Sequence, residues 1–427
     1  MDVERGSVGQ TVGLLQKTNR GWSMKILQVN CVYGVGSTGK LTAEIHTELT
    51  RQGIESVVCY GRGAKIKEPG LYKTCGEFYS KANQVLARAR GQLYGGCLLS
   101  TRKLISVIEK EKPDVVHLQC INGFFINIAR LLEWLKENRV KTVLTLHAEF
   151  MFTAGCGHAR ECEQWKTGCG KCPQLRTDIK SFGVDGTHAS WKKMERAFQG
   201  FTENLRVVSV SPWLMERAKQ SPFLVDKRHC VVMNGLDVNV FCRREAGELR
   251  AQYDSEAKIV LFVTTYLTDS PSDLKGGRYV IELARKLERS DVRILALGNF
   301  DGTLILPPNM AALGRVEDQE LLARYYSMAD ASILASKRET FSMVTAESLC
   351  CGTPVVGFEA GGPESIALPE FSRFVPEGDV EALREALLAM LERPVDRERL
   401  AGEAQKYYSS RRMTREYIDI YRELAKG

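Results

Sequence analysis

Two successive series of short, β-branched apolar runs, each followed by a helix-patterned stretch, most restrict what this chain can become. The first series holds KILQV (25–29), SVVCY (56–60), DVVHL (114–118), KTVLTL (141–146) and RVVSV (206–210). Between them, stretches such as LTAEIHTELTRQG and IARLLEWLKENR carry apolar residues every three or four positions. The pattern then restarts with KIVLFV (258–263), VRILAL (292–297), ASILAS (331–336) and TPVVGF (353–358). Strands apolar on both faces and separated by helices build parallel sheets covered by helices. In CVVMNGLDVNVF (230–241), between the two series, Asn234 and Gly235 mark a turn and a domain crossing. The expected fold class is α/β, with two Rossmann-like parallel-sheet domains facing a central cleft. Ligands would gather there, at the carboxyl ends of the strands.

The 427 residues are enough for two separate cores. The expected division is 24–234 for the first domain, 235–402 for the second, and a terminal helix over 403–427. That helix belongs to an Arg-, Glu- and Tyr-rich stretch over roughly 396–425, which caps the second domain or reaches back across the hinge. Residues 1–23 read as an N-terminal extension with no apolar signal core, and Met24 is an alternative start. No run approaches the roughly 20 apolar residues that cross a bilayer, so a cytoplasmic location is expected. The net charge of +7 is spread along the chain rather than gathered in a stripe, which argues against nucleic acid as a partner. Thirteen cysteines are too few for a secreted disulfide scaffold, and Cys31, Cys59, Cys75, Cys350 and Cys351 read as small core residues.

The stretch CVYGVGSTGKL (31–41) has the spacing of a triphosphatase loop from Gly34 to Lys40. It fails where that loop needs Ser or Thr to ligate magnesium, because the residue after Lys40 is Leu41. Nor does it match a dinucleotide fingerprint, and GRGAK follows the second strand where an acid would be needed. What remains is a strand ending at Asn30, a glycine turn, and a helix starting near Ser37 or Thr38 whose free amides would suit an anion.

The most specific stretch is SKRETFSMVTAESLCCGTPVVGFEAGGPESI (336–366). Glu339 precedes a helix and Glu347 lies eight positions on, within it. Two carboxylates so placed accept hydrogen bonds from a hydroxyl-rich ligand. Gly361 and Gly362 open a further turn whose amides would suit a phosphate.

These residues resemble the donor-binding signature of the retaining glycosyltransferases of GT-B fold, specifically glycosyltransferase family 4 of polysaccharide-biosynthesis type. Glu339 and Glu347 match its two acids, and Gly352, Thr353, Pro354 and Val355 its strand entry. The likeness runs from Met24 to the final helix and includes VVMNGLDVNVF and GRVEDQELLARYYSMADASILAS. It implies that Glu339 contacts the transferred sugar and that Glu347 holds ribose hydroxyls. It further implies that the backbone at Val316 meets the nucleotide base, and that Gly36, Ser37 and Gly39 lie near the donor diphosphate and the acceptor. In DLKGG (273–277), Lys275 matches a diphosphate ligand that would neutralise charge on the departing nucleotide. The family's usual Arg a few residues earlier is missing from TTYLTDSPSD (264–273), which leaves Arg278 or a distant Arg to compensate. His147, closing VLTLH, matches a His near the anomeric centre, although AEF follows where the family usually has Asp. His117 is a second strand-end candidate, on the acceptor side.

The implied reaction moves a sugar, with retention, from a nucleoside-diphosphate sugar to a hydroxyl of a glycan or polyprenyl-diphosphate-linked acceptor. Uridine diphosphate sugars are the first donors to try. A sugar-nucleotide epimerase or hydrolase of the same fold is the alternative. Transfer itself needs no cofactor. The segment CGHARECEQWKTGCGKCP places Cys156, Cys162, Cys169 and Cys172 at a spacing that suits a structural zinc, with unliganded thiols as the competing reading. Residues 79–103 mix apolar side chains with five positive charges, a composition that fits either an anionic membrane surface, and so a peripheral location, or an ordinary helix and turn.

Overall fold

The β-branched runs become strands because Val and Ile pack well on a pleated surface buried on both faces. The structure, a computed structural model, describes residues 24–253, 256–287 and 291–426, so the extension 1–23 lies outside the described residues. The first sheet holds β1 (Lys25–Asn30), β2 (Glu55–Tyr60), β3 (Leu71–Lys73), β4 (Val115–Leu118), β5 (Thr142–Leu146), β6 (Leu205–Ser209) and β7 (Arg228–Val231). The second holds β8 (Lys258–Leu267), β9 (Val292–Phe300), β10 (Met310–Gly314), β11 (Ala331–Leu334), β12 (Val355–Phe358) and β13 (Ser372–Val375). The spatial orders are β3-β2-β1-β4-β5-β6-β7 and β10-β9-β8-β11-β12-β13, with the paired strands parallel throughout. Each order reverses once, between β1 and β4 and between β8 and β11. Two parallel-sheet domains facing a cleft, the GT-B arrangement, are therefore present.

The four strands absent from the apolar runs, β3, β7, β10 and β13, lie at or next to the sheet edges, where half-exposed residues break the pattern. The terminal stretch also differs from the single helix expected over 396–425. It forms two helices, Arg397–Tyr408 and Ser410–Lys426, parted at Ser409. There the backbone turns extended (φ −67°, ψ 138°) to pair with the interdomain crossing. The Leu236 amide donates to the Tyr408 carbonyl (2.8 Å), and the Ser410 amide donates to the Leu236 carbonyl (2.9 Å).

The last helix packs on the first domain, burying Met413, Tyr417, Ile418 and Tyr421 against Ile26, Val115, Val143 and Val208. It also settles His117. That imidazole is fully buried within β4, with Nδ1 against the Tyr421 hydroxyl (2.7 Å) and Nε2 against Thr145 Oγ1 (2.8 Å). Thr145 Oγ1 in turn meets the Tyr417 hydroxyl at 3.0 Å. Both ring nitrogens are occupied under the helix, so His117 is a packing residue and not an acceptor-side group. Burial pushes it down to about 3, so it stays neutral.

Tyr421→Phe should cost about 1–3 kcal/mol by leaving His117 Nδ1 without a partner. Tyr421→Ala should cost about 3–5 kcal/mol by adding a cavity. Urea unfolding followed by tryptophan fluorescence would read both, and equal midpoints for wild type and the Phe variant would contradict the role given to the hydroxyl.

Candidate active site

The cleft is built from loops that leave the two reversal points. In the first domain, Asn30 at the end of β1 ties down the loop that follows. Its Nδ2 donates to the Val32 carbonyl (2.7 Å), and its Oδ1 accepts from the Cys120 amide (2.9 Å). The next helix, Gly36–Arg51, starts without any side-chain cap, because the residue before it is Val35. Gly36 sits at φ +64°, a region that favours glycine, and Gly39 packs closely on Val32. Exposed Ser37 and Lys40 stand on this first turn. The helical amides there are left without a side-chain partner.

His147 follows β5, and its Nε2 meets Gln119 Oε1 at 3.1 Å. Gln119 Nε2 donates to Gln28 Oε1 (2.9 Å), and Gln28 Nε2 donates to the Thr42 carbonyl in the helix of the glycine turn (3.3 Å). This line of buried amides fixes the imidazole and the turn relative to each other. Burial lowers His147 to about 4, so at neutral pH the ring is uncharged with its proton on Nε2. Sequence reading missed Gln28 and Gln119. Their signal was a polar residue inside or directly after an apolar strand run.

In the second domain, the loop after β8 carries Asp273, whose carboxylate accepts from the amides of Lys275 and Gly277 (3.1 Å each). The structure brings Lys275 and Glu339 together as an ion pair, with the Ser336 hydroxyl donating to the same carboxylate oxygen at 3.0 Å. The Glu339 backbone is held on both sides, its amide by the Ala360 carbonyl and its carbonyl by the Gly362 amide (2.9 Å each). Arg278 instead lies over the Tyr279 ring, 4.8 Å from its centroid.

Glu347 lies in the helix Met343–Cys350 and accepts from the Tyr326 hydroxyl at 3.0 Å. Burial pushes its carboxyl up to about 7, against the pull of the Lys40 charge across the cleft. Glu44, one turn after Lys40, is also pushed up to about 7 by burial and by Asp237, again opposed by Lys40. One of its oxygens is buried without a hydrogen-bond partner. Lys40 thus stands between two carboxyls that favour the protonated form. Val316, half-buried, follows β10 and the left-handed turn at Gly314 (φ +82°).

Gly361 and Gly362 are placed differently from expectation. The Gly361 amide donates to the Glu364 carboxylate (2.7 Å) and that of Gly362 to the Glu339 carbonyl (2.9 Å), so both are already engaged. A phosphate on Gly361 would have to displace Glu364. What these glycines provide here is close approach: a Cβ at Gly361 (φ +107°) would come within 2.5 Å of Trp213 in the first domain. Two hydrogen bonds join the domains nearby, from Thr340 Oγ1 to the His147 carbonyl (2.8 Å) and from Ser211 Oγ to the Thr340 carbonyl (2.6 Å).

The cysteine insert borders this junction. Its Glu161 lies 3.7 Å from Arg338, which stacks over Trp213 at 5.4 Å. Cys156, Cys162, Cys169 and Cys172 are all free thiols and line one small hollow with Thr153, Trp165 and Thr187. Four thiols are a fitting donor set for zinc. Among the described residues, however, no three His, Cys, Asp or Glu side chains are set to hold a metal ion as they stand.

Residues 38–240 match the family described as Glycosyltransferase Family 4, and residues 251–407 match Glycosyl transferases group 1. Escherichia coli (strain K12) WcaC, a glycosyl transferase named for colanic acid biosynthesis, is 23% identical over 94% of this chain and 100% of its own. The N-acetyl-alpha-D-glucosaminyl L-malate synthase of Bacillus anthracis is 23% identical over 92% of this chain and 95% of its own. Among solved structures, sucrose-phosphate synthase from Thermosynechococcus elongatus is similar in fold (TM-score 0.67, 15% identity, 94% of this chain and 99% of that one). Anabaena HepE in complex with UDP-glucose is similar too (TM-score 0.62, 15% identity, 94% and 100%).

The raised carboxyls set a pH dependence. A folded-state value near 7, above the unfolded value of 4.5, means that the folded chain binds more protons between those limits. The contribution to stability from Glu347 and Glu44 is full below about 4.5 and lost as pH rises through about 7. The melting temperature of the ligand-free protein should therefore fall between pH 5 and 7.5, and less steeply in Glu347→Gln. Parallel profiles for the two proteins would contradict this.

Proposed function

This chain is a GT-B-fold glycosyltransferase related to both matched families, and from that premise we propose that it transfers a sugar, with retention, from a nucleoside-diphosphate sugar to a hydroxyl of a glycan or lipid-linked glycan during polysaccharide synthesis. The observation that carries this reading is the Lys275–Glu339 ion pair at the reversal point of the second sheet. Across the same cleft the first domain contributes His147 and the uncapped helix at Gly36–Gly39. The UDP-glucose bound to HepE and the name of WcaC support a uridine donor and a polysaccharide product.

In this reaction Lys275 stabilises charge on the diphosphate as the glycosidic bond breaks, releasing Glu339 to accept hydrogen bonds from the sugar. The helix amides at Gly36–Gly39 add to that stabilisation. Neutral His147 donates to a sugar hydroxyl in place of Gln119. Glu347 takes the ribose hydroxyls, with Tyr326 fixing its orientation. The acceptor hydroxyl attacks from the face the nucleotide leaves, and its proton passes to the departing phosphate oxygen. No side-chain base is required, and domain closure supplies alignment and excludes water.

Incubation with uridine, guanosine and adenosine diphosphate sugars, with and without lipid-linked acceptors, tests the function. Acceptor-dependent nucleotide release is expected; epimerised donor or free sugar without acceptor would select the alternative chemistry. Lys275→Met should lower turnover about 10²–10³-fold, the scale of a lost oxyanion donor, with an unchanged circular dichroism spectrum. Wild-type turnover would remove Lys275 from the mechanism. The thiol-lined hollow is a proposed structural zinc site. Elemental analysis of natively purified protein should find one zinc per chain, and its absence would leave the four cysteines as packing residues.

A further inference from the structure

A surface helix of a folded domain normally turns its apolar stripe inward. The helix Glu77–Arg90 does the reverse. Its buried residues are Ser80 and Ala87 alone. Its outward face carries Phe78, Ala82, Val85, Leu86 and Ala89, all exposed, at positions that stack on one side of a 3.6-residue helix. Phe78 is 90% exposed.

Two further segments extend this face. Exposed Leu98 and Leu99 open the helix Leu98–Glu111, joined to the first by the Leu99 amide donating to the Tyr79 hydroxyl (3.1 Å) and the Cys97 amide to Asn83 Oδ1 (2.8 Å). Exposed Phe182 and Val184 lie at its other end, where the Phe182 amide donates to the Arg88 carbonyl (3.1 Å). Seven of the thirteen large hydrophobic side chains exposed among the described residues fall in these three adjoining segments, too concentrated for scattered surface residues.

Cations predominate in these segments, whose acids are Glu77, Asp185 and, at the far end of the helix Leu98–Glu111, Glu109 and Glu111. Lys81, Arg88, Arg90, Arg102, Lys103 and Lys180 belong to them. The acids within reach are largely satisfied: Glu77 pairs with Arg62, and Asp178 with Arg160. Apolar side chains flanked by cations match a layer of anionic headgroups over acyl chains, the cations meeting phosphate and the rings entering the interface.

We propose that this face of the first domain docks on an anionic phospholipid bilayer. The proposal does not depend on the donor or acceptor assigned above, since none of its residues is among those given a role in the reaction. Among the described residues no helix is long and apolar enough to cross a membrane, so attachment here is by the surface.

Flotation of the full chain with large vesicles tests this. Vesicles of phosphatidylglycerol and phosphatidylcholine at about 0.1 M salt should carry the wild type to the top of the gradient, and phosphatidylcholine alone should carry at least tenfold less. Raising the salt to about 0.5 M should weaken binding, because headgroup attraction is screened. Phe78→Glu combined with Leu86→Glu should abolish flotation while leaving the melting temperature unchanged, both positions being exposed. Arg88→Glu with Arg90→Glu is a second variant that should lose binding through charge alone. Wild type that stays at the bottom with anionic vesicles, or variants that float as well as wild type, would overturn the proposal. So would a self-association that the Glu variants dissolve in the absence of any vesicle binding.

Discussion

A parallel sheet releases all its strands toward the same edge, and that constraint organises everything else in the molecule. Where the strand order reverses, the two following loops part and leave a crevice at the carboxyl edge. In the second domain those loops follow β8 and β11, the two strands that carry Lys275 and Glu339 to within an ion pair of each other. In the first domain the reversal lies between β1 and β4, so the loop from β1 becomes the glycine turn. The two crevices face each other because the interdomain crossing at Leu236 is hydrogen-bonded to the break between the last two helices. Residues more than sixty positions apart thus share one hollow without any local sequence relation.

The charges in that hollow are arranged for a ligand that brings both phosphate and hydroxyl groups. Lys275 is held by Glu339, and Lys40 faces both Glu44 and Glu347. Without a ligand Lys275 is paired with Glu339, whereas the two carboxyls near Lys40 are pushed toward the neutral form by burial. An incoming diphosphate would compete for the cations, while sugar and ribose hydroxyls would satisfy the carboxylates. On the proposed reading, donor binding exchanges protein–protein polar contacts for protein–ligand ones. Specificity under such an exchange comes from geometry, because misplaced hydroxyls would leave a carboxylate unpaired.

The sheet strands and the acid pair were legible because each has a strong local cause. β-branched runs bury on both faces, and Glu339 stands on a recognisable strand-to-helix turn. The edge strands β3 and β13 were not legible, since three or four residues with mixed exposure carry no period. The break at Ser409 was hidden for another reason. Its main partner is the distant backbone of Leu236, and the one local sign is Ser409 itself, whose Oγ accepts from the Arg412 amide (3.3 Å) as an N-cap. The same holds for the Gly362 amide, taken by the Glu339 carbonyl, whereas Gly361 is held by Glu364 only three positions on. His117 misled because strand ends and strand interiors look alike in sequence; its partner Tyr421 lies 304 positions away. Long-range partners decide these cases, and sequence spacing has no access to them.

How firmly the two domains are held together decides whether the cleft can work by closing. Among the described residues, polar ties across it include the two hydrogen bonds at Thr340, each worth about 0.5–1.5 kcal/mol, and the contacts of Arg338 with Trp213 and Glu161. Glu161 is almost fully exposed, so its ion pair adds about 0–1 kcal/mol at most. The hinge is held differently. Tyr417 and Tyr421 are buried against the first domain, and two backbone hydrogen bonds fix Leu236 to the helix break. The last helix is therefore anchored on the first domain. Polar ties are thus gathered at the crossing of Leu236 and Ser409, while at the mouth the domains meet through Gly361 packed on Trp213 and the two bonds at Thr340.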